Sequence, residues 1–203
     1  MWLAGEGPPL RRTSSGGRRT SLHPLKILAI SGSLRAHSSN TEVLRAAASL
    51  APQSAQVSLF VGIAKLPHFN PDLDVEGAVP PEPVRDFRTQ VGEADGVLIS
   101  SPEYAHGVPG ALKNALDWLV SGPEMVRKPV GLLNASPRSG FAQTSLAEIL
   151  RTMAAVLVAG ASVELPLGGR RLSAAEIVAD PELASRLRMA VQALASAAEV
   201  GQK

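Results

Sequence analysis

Residues 25–40, LKILAISGSLRAHSSN, constrain the fold of this chain more than any other stretch. Leu25, Ile27, Leu28, Ala29 and Ile30 form a nearly continuous apolar run, which reads as a strand buried on both faces. The run passes into a turn of small and hydroxyl-bearing residues, Ser31, Gly32, Ser33, Ser38, Ser39 and Asn40, with Arg35 among them, and the turn opens a helix. A buried strand that hands its chain to a helix in this way is the first unit of a parallel α/β sheet. The start of that helix carries unpaired N–H groups and the positive end of the helix dipole. With hydroxyls and one arginine beside it, the turn is suited to a phosphate monoester.

The same alternation continues along the chain. Further strands are predicted at Gln56–Val61, Val97–Ser101, Val130–Asn134 and Ala161–Leu165. Ser39 and Glu42 have capping-box spacing ahead of Val43, Leu44, Ala47 and Leu50, and Pro52 closes that helix. Residues 84–94 read as a second helix, and Leu112, Ala115, Leu116 and Leu119 mark the apolar face of a third. Leu146, Ile149, Leu150, Met153 and Leu157 recur at helical intervals, with Gly160 as the expected stop. Asp180-Pro181 is an N-cap followed by proline at the first helical position, and Leu183, Leu187, Val191 and Leu194 line the terminal helix. The expected fold is α/β: a doubly wound, five-stranded parallel sheet with helices on both faces, in one domain spanning residues 25–199.

Composition narrows the chemistry. The absence of cysteine excludes disulfides, thiolate metal sites and cysteine nucleophiles. His23, His37, His68 and His106 lack the spacing of a zinc site, and no metal is expected. No apolar run reaches membrane length, so a cytoplasmic protein with no membrane partner is expected. The net charge of +2 comes wholly from residues 1–24, where Arg11, Arg12, Arg18 and Arg19 face only Glu6. That stretch is expected to be a flexible basic extension without the apolar core of a secretory signal, and no nucleic-acid role is assigned to it.

Ligands of doubly wound sheets bind beyond the carboxyl ends of the strands. Three predicted loops leave those ends: Ser31–Asn40, Pro102–Pro109 and Ser136–Gly140. The first has one glycine where a dinucleotide fingerprint needs three, and no acid closes the second strand; a P-loop lysine is also missing. A mononucleotide with a terminal phosphate fits better, with Ser33, Arg35, Ser38 and Asn40 as donors. The plainer alternative is that Ser38 or Ser39 caps the helix and Arg35 is a solvated charge. In the second loop, Pro102 holds Ser101 extended, and Tyr104, the only tyrosine, offers a flavin ring contact and a hydroxyl. Backbone amides from Glu103 to Gly107, Ala105 included, could face the polar pyrimidine edge. The alternatives are a core-edge aromatic for Tyr104 and an exposed loop histidine for His106; the side chain of Glu103 reads as structural or interfacial.

Segments 32–40 (GSLRAHSSN), 101–119 (SPEYAHGVPGALKNALDWL), 128–137 (KPVGLLNASP) and 66–74 (LPHFNPDLD) together resemble the NADPH-dependent FMN reductase family. The resemblance implies a flavodoxin-like fold and a non-covalent FMN. Ser33, Arg35, Ser38 and Asn40 would hold the phosphate, Pro102, Glu103 and Tyr104 would line the isoalloxazine, and Ser136 would complete the flavin edge. It also implies a homodimer or homotetramer, with Lys113, Asn114 and Asp117 on a helix that supports the second loop and the assembly. Two positions depart from the family pattern. Ala105 stands where asparagine is common, and the 137–141 segment is bulkier than the usual glycine-rich loop. Arg138 there favours an anionic substrate, the 2′-phosphate of NADPH, or only solvent.

No catalytic side chain is assigned, because a flavin carries the redox chemistry; Tyr104 and His106 are positioning candidates. The expected function is hydride transfer from NADPH or NADH to flavin, then electron transfer to a quinone-like small molecule. The alternatives are an FMN electron carrier docking to protein partners and a non-catalytic interaction protein on the same scaffold.

Overall fold

Every strand pairing in the sheet is parallel, as the buried apolar strands require. The structure is a computed structural model that describes residues 24–136 and 140–201. The basic stretch before residue 24 and Pro137–Ser139, including Arg138, lie outside the described residues.

The strands are β1 (Leu25–Ser31), β2 (Ala55–Phe60), β3 (Gly96–Ser100), β4 (Pro129–Asn134), β5 (Val156–Leu157) and β6 (Val163–Glu164). The helices are α1 (Ser39–Ser49), α2 (Glu82–Glu93), α3 (Gly110–Asp117), α4 (Gly140–Thr152), α5 (Ala174–Ala179) and α6 (Pro181–Gly201). Strand order is β2-β1-β3-β4-β5, and β6 also pairs with β4. Alternate residues of each strand feed opposite cores. Ile27, Ala29, Leu98 and Leu133 pack with α1, α5 and α6 through Val43, Leu44, Ile177, Leu187 and Val191. Leu28, Ile30, Ile99 and Val130 pack on the other face with Val84, Phe87, Leu112, Leu116, Leu146 and Leu150. Full burial of a side chain such as Phe87 contributes about 1.5–3 kcal/mol.

Three expectations are corrected. The fifth strand is divided: β5 pairs with Pro129–Val130, a 3-10 turn follows at Ala159–Ala161, and β6 pairs with Leu133–Asn134. The helix expected to run through Leu157 stops at Thr152. Its end is a Schellman turn: Ala155 N–H donates to Leu150 O at 3.0 Å and Ala154 N–H to Arg151 O at 2.9 Å, with Ala154 at φ 59°. Alanine there hides a stop that glycine would have signalled. The capping box expected of Ser39 and Glu42 is absent. Ser38 is the N-cap, and the Glu42 carboxylate instead pairs with Arg45 and accepts from Ala174 N–H at 2.8 Å. A capping box that the sequence reading missed, Ser173 with Glu176, opens α5. At α6, Asp180 Oδ1 accepts from Glu182 and Leu183 N–H at 3.1 and 3.2 Å, as its sequence predicts.

The long connection after β2 is tied down by α3. Asn114 accepts from Phe69 N–H and donates to Pro67 O, at 2.8 and 2.9 Å. Trp118 Nε1 donates to the same carbonyl at 2.8 Å, and its ring meets Phe69 edge-on. Lys113 and Asp117 pair with each other one turn apart.

Candidate functional site

The first loop is built from β1 outward. Ser31 Oγ lies 2.9 Å from Thr41 Oγ1, tying the strand end to the first turn of α1. Ser33 N–H donates to Ser31 Oγ at 3.3 Å, and Arg35 N–H to Ser33 Oγ at 3.4 Å. Gly32 N–H donates to Ser100 O at 2.8 Å, bringing β3 alongside. A Cβ at Gly32 would fall 2.4 Å from Ser101 Oγ, so only glycine permits this approach.

What this loop leaves unused defines its chemistry. Ser38 is only 4% exposed, yet its side chain makes no capping bond and no other hydrogen bond among the described residues. The plain helix-cap reading of Ser38 therefore fails. Asn40 Oδ1 accepts from Ser100 Oγ at 2.9 Å, which leaves Asn40 Nδ2 without a partner among the described residues. The first amides of α1 have no intrahelical acceptor by construction. Glu42, the one acid of the first turn, is drawn away to Ala174 N–H. Arg35 and His37 are exposed. The result is a set of donors with no neutralising carboxylate. A phosphate monoester of the kind FMN carries fits that set.

Beside the loop lies a cleft of about 540 Å³ at the carboxyl ends of the strands. Ser39 and Asn40 line it from α1, Pro102 and Glu103 from the loop after β3, and Ala135 and Ser136 from the loop after β4. Of the sequence-predicted residues, the cleft thus gathers Asn40, Pro102, Glu103 and Ser136. Ser33, Arg35 and Ser38 stand in the adjoining loop, while Tyr104 and Ala105 sit further out and do not line the cleft. Glu103 Oε2 accepts from Ala142 N–H at 2.8 Å, so its carboxylate caps the start of α4.

Tyr104 and Gly107 face each other across a two-residue turn, exchanging N–H···O bonds of 3.2 and 2.9 Å. The turn residues Ala105 and His106 have φ of 48° and 58°, the backbone of a tight hairpin. Tyr104 is 53% exposed, so it is not a core-edge aromatic. The His106 ring stacks on Phe141 with centroids 4.3 Å apart.

Sequence reasoning missed the remaining wall, Leu167–Arg171. The Gly168-Gly169 pair signals a turn, but nothing local in the sequence shows that the turn emerges beside α1. The signal available was an Arg-Arg pair directly after a turn that follows a strand.

A model of the NADPH-dependent FMN reductase family matches residues 25–168. An NADPH:quinone oxidoreductase of Arabidopsis thaliana is 42% identical over 120 residues, which are 57% of this chain and 60% of that protein. A 2-hydroxy-1,4-benzoquinone reductase of a Burkholderia species is 47% identical over 94 residues, 46% of this chain and 49% of that protein. The chain thus spans less than two thirds of the length of these relatives. Among solved structures, a flavoenzyme NAD(P)H:(acceptor) oxidoreductase from Paracoccus denitrificans superposes with a TM-score of 0.69 at 28% identity. That match covers 87% of this chain and 98% of the other.

Proposed function

The chain belongs to the NADPH-dependent FMN reductase family, and from that premise we propose that it is an FMN-dependent NAD(P)H oxidoreductase acting on a quinone-like small molecule. In the net reaction, one hydride from NAD(P)H and one proton from solvent convert a quinone to a hydroquinone and release NAD(P)⁺. FMN, when bound, supplies the centre that accepts and passes on the electrons.

The observation that carries this reading is the first loop: Ser38 is buried as a residue, yet its hydroxyl caps nothing, and it stands beside the open N-terminus of α1 with no free acid. Ser33, Arg35, Ser38 and Asn40 would hold the phosphate. Pro102, the backbone from Glu103 to Ala105, and Ser136 would shape the ring site, and Tyr104 with His106 would position the reactants. Glu103 holds α4 against this loop and moves no proton. The residues contribute orientation and exclusion of water.

The working unit in this reading is one domain over residues 25–199, in a homodimer or homotetramer in the cytoplasm, where nicotinamide nucleotides are at hand. Exposed apolar side chains at Val120 and Phe141, 65% and 61% accessible, support assembly through the α3 and α4 side. Among the described residues no helix is long and apolar enough to cross a membrane.

The test is anaerobic stopped-flow with FMN-reconstituted protein, mixed separately with NADPH and NADH. Rapid loss of the oxidised-flavin band with either nucleotide, and its return on adding a benzoquinone, is expected. Tightly bound FMN that both nucleotides leave oxidised would make the protein an electron carrier instead.

A further inference from the structure

Helix α1 carries in its own sequence a competitor for the phosphate. Ser39 and Glu42 keep the spacing of a capping box, in which the glutamate accepts from the serine's backbone N–H. In α1 that N–H is the first of the helix, one of the amides a flavin phosphate would take. A carboxylate seated there would occupy the donor and offset the positive end of the helix dipole.

The fold takes this carboxylate elsewhere. Ala174 is the first residue of α5, so its N–H has no acceptor in its own helix. It donates to Glu42 Oε2 at 2.8 Å, across 132 residues of sequence. Val43, Leu44 and Ile177 share one buried cluster, which seats α5 against α1 and holds this donor and acceptor together. Glu42 Oε1 pairs with Arg45, whose side chain is half exposed, so that contact alone restrains the carboxylate weakly.

We infer that the Ala174 N–H is a catch that keeps Glu42 off the start of α1, so that α5 sets the affinity of the phosphate site. Glu42 is thus a positioning residue: it acts by where it is held, and Ala174 acts by holding it. The inference rests on reading the first loop as the phosphate site of the proposed flavoprotein.

Proline at position 174 separates this contact from the helix it belongs to. It removes an N–H that α5 does not use, and the first position of a helix accepts proline. Ser173 is already extended, with φ −71° and ψ 164°, as a residue before proline must be.

The experiment titrates FMN and riboflavin into the full chain freed of flavin, followed by quenching of flavin fluorescence. The proteins are the wild type, Ala174→Pro, and Ala174→Pro combined with Glu42→Ala. The wild type is expected to bind FMN more tightly than riboflavin, which has no phosphate. Ala174→Pro should weaken FMN about three- to tenfold, the effect of a carboxylate at a helix N-terminus, and leave riboflavin unchanged. Adding Glu42→Ala should restore most of the lost FMN affinity. A proline variant that binds FMN like the wild type overturns the inference and leaves the flavin reading intact. So does one that loses FMN and riboflavin alike, or one that Glu42→Ala fails to rescue. A wild type that binds both flavins equally has no phosphate site in this loop; the flavin reading of the loop then fails, and the inference with it.

Discussion

Ser100, the last residue of β3, donates its hydroxyl to Asn40 Oδ1 at 2.9 Å from a fully buried position. The same hydroxyl lies 3.0 Å from Leu133 O of β4. One side chain thus locks the start of α1 to two strand ends, and by holding Oδ1 it fixes which face of the Asn40 amide is free to donate. Ser100→Ala removes that lock. The variant should lose about 1–3 kcal/mol of stability in denaturant titration, because buried acceptors are left unpaired. It should also bind FMN several-fold more weakly. Unchanged FMN affinity would mean that Asn40 orientation is irrelevant to the site.

Ser38 and Ser173 both occupy N-caps, but only Ser173 caps its helix. Ser173→Ala should cost about 1 kcal/mol with FMN affinity intact. Ser38→Ala should do the reverse, leaving the melting temperature of the FMN-free protein nearly unchanged and weakening FMN about tenfold. If both variants behave alike, the assignment of Ser38 to the phosphate is wrong.

Ala105 holds a positive φ of 48° in the turn after Tyr104. Asparagine and glycine tolerate that conformation better than alanine. Ala105→Asn should therefore raise stability by about 0.5 kcal/mol, and Ala105→Val should lower it by 1 kcal/mol or more, on the order expected for a strained position. Thermal unfolding of the three proteins decides the matter; a stabilising valine would contradict the turn geometry.

Glu176 is held below its ordinary value of 4.5, first by the Ser173 backbone N–H and then by the Ser173 hydroxyl, against a smaller opposing effect of burial. A carboxyl lowered on folding stabilises the native state above its unfolded pKa, and that contribution fades as pH falls through the folded value. Glu176→Gln should accordingly flatten the loss of stability below pH 4.5. Identical acid unfolding profiles for variant and wild type would remove the capping box from the pH response.

The β4-to-α4 region marks where the sequence stopped being legible. Strand β4 is evident from its apolar run, and α4 from its spacing, yet that spacing continues past the true helix end at Thr152. Nothing in the Ala154-Ala155 pair marks Ala154 as left-handed. The site divides similarly. The donors of the first loop are neighbours in the chain and can be read together, whereas Glu103 meets Ala142 across 39 residues.

The alternation of strands and helices through β4, the two buried faces, the Asp180-Pro181 helix start and the gathering of hydroxyl and arginine donors in residues 31–40 are legible in the sequence alone. Each depends on periodicity or turn chemistry within a few residues. Tertiary structure decided that Asn40 answers to Ser100, that Glu42 serves α5 rather than its own helix, and that Arg171 enters the cleft. These depend on which strand ends lie side by side. Hydrogen bonds and unpaired charges are allotted among groups that meet only when the sheet closes, so local pattern carries no record of them.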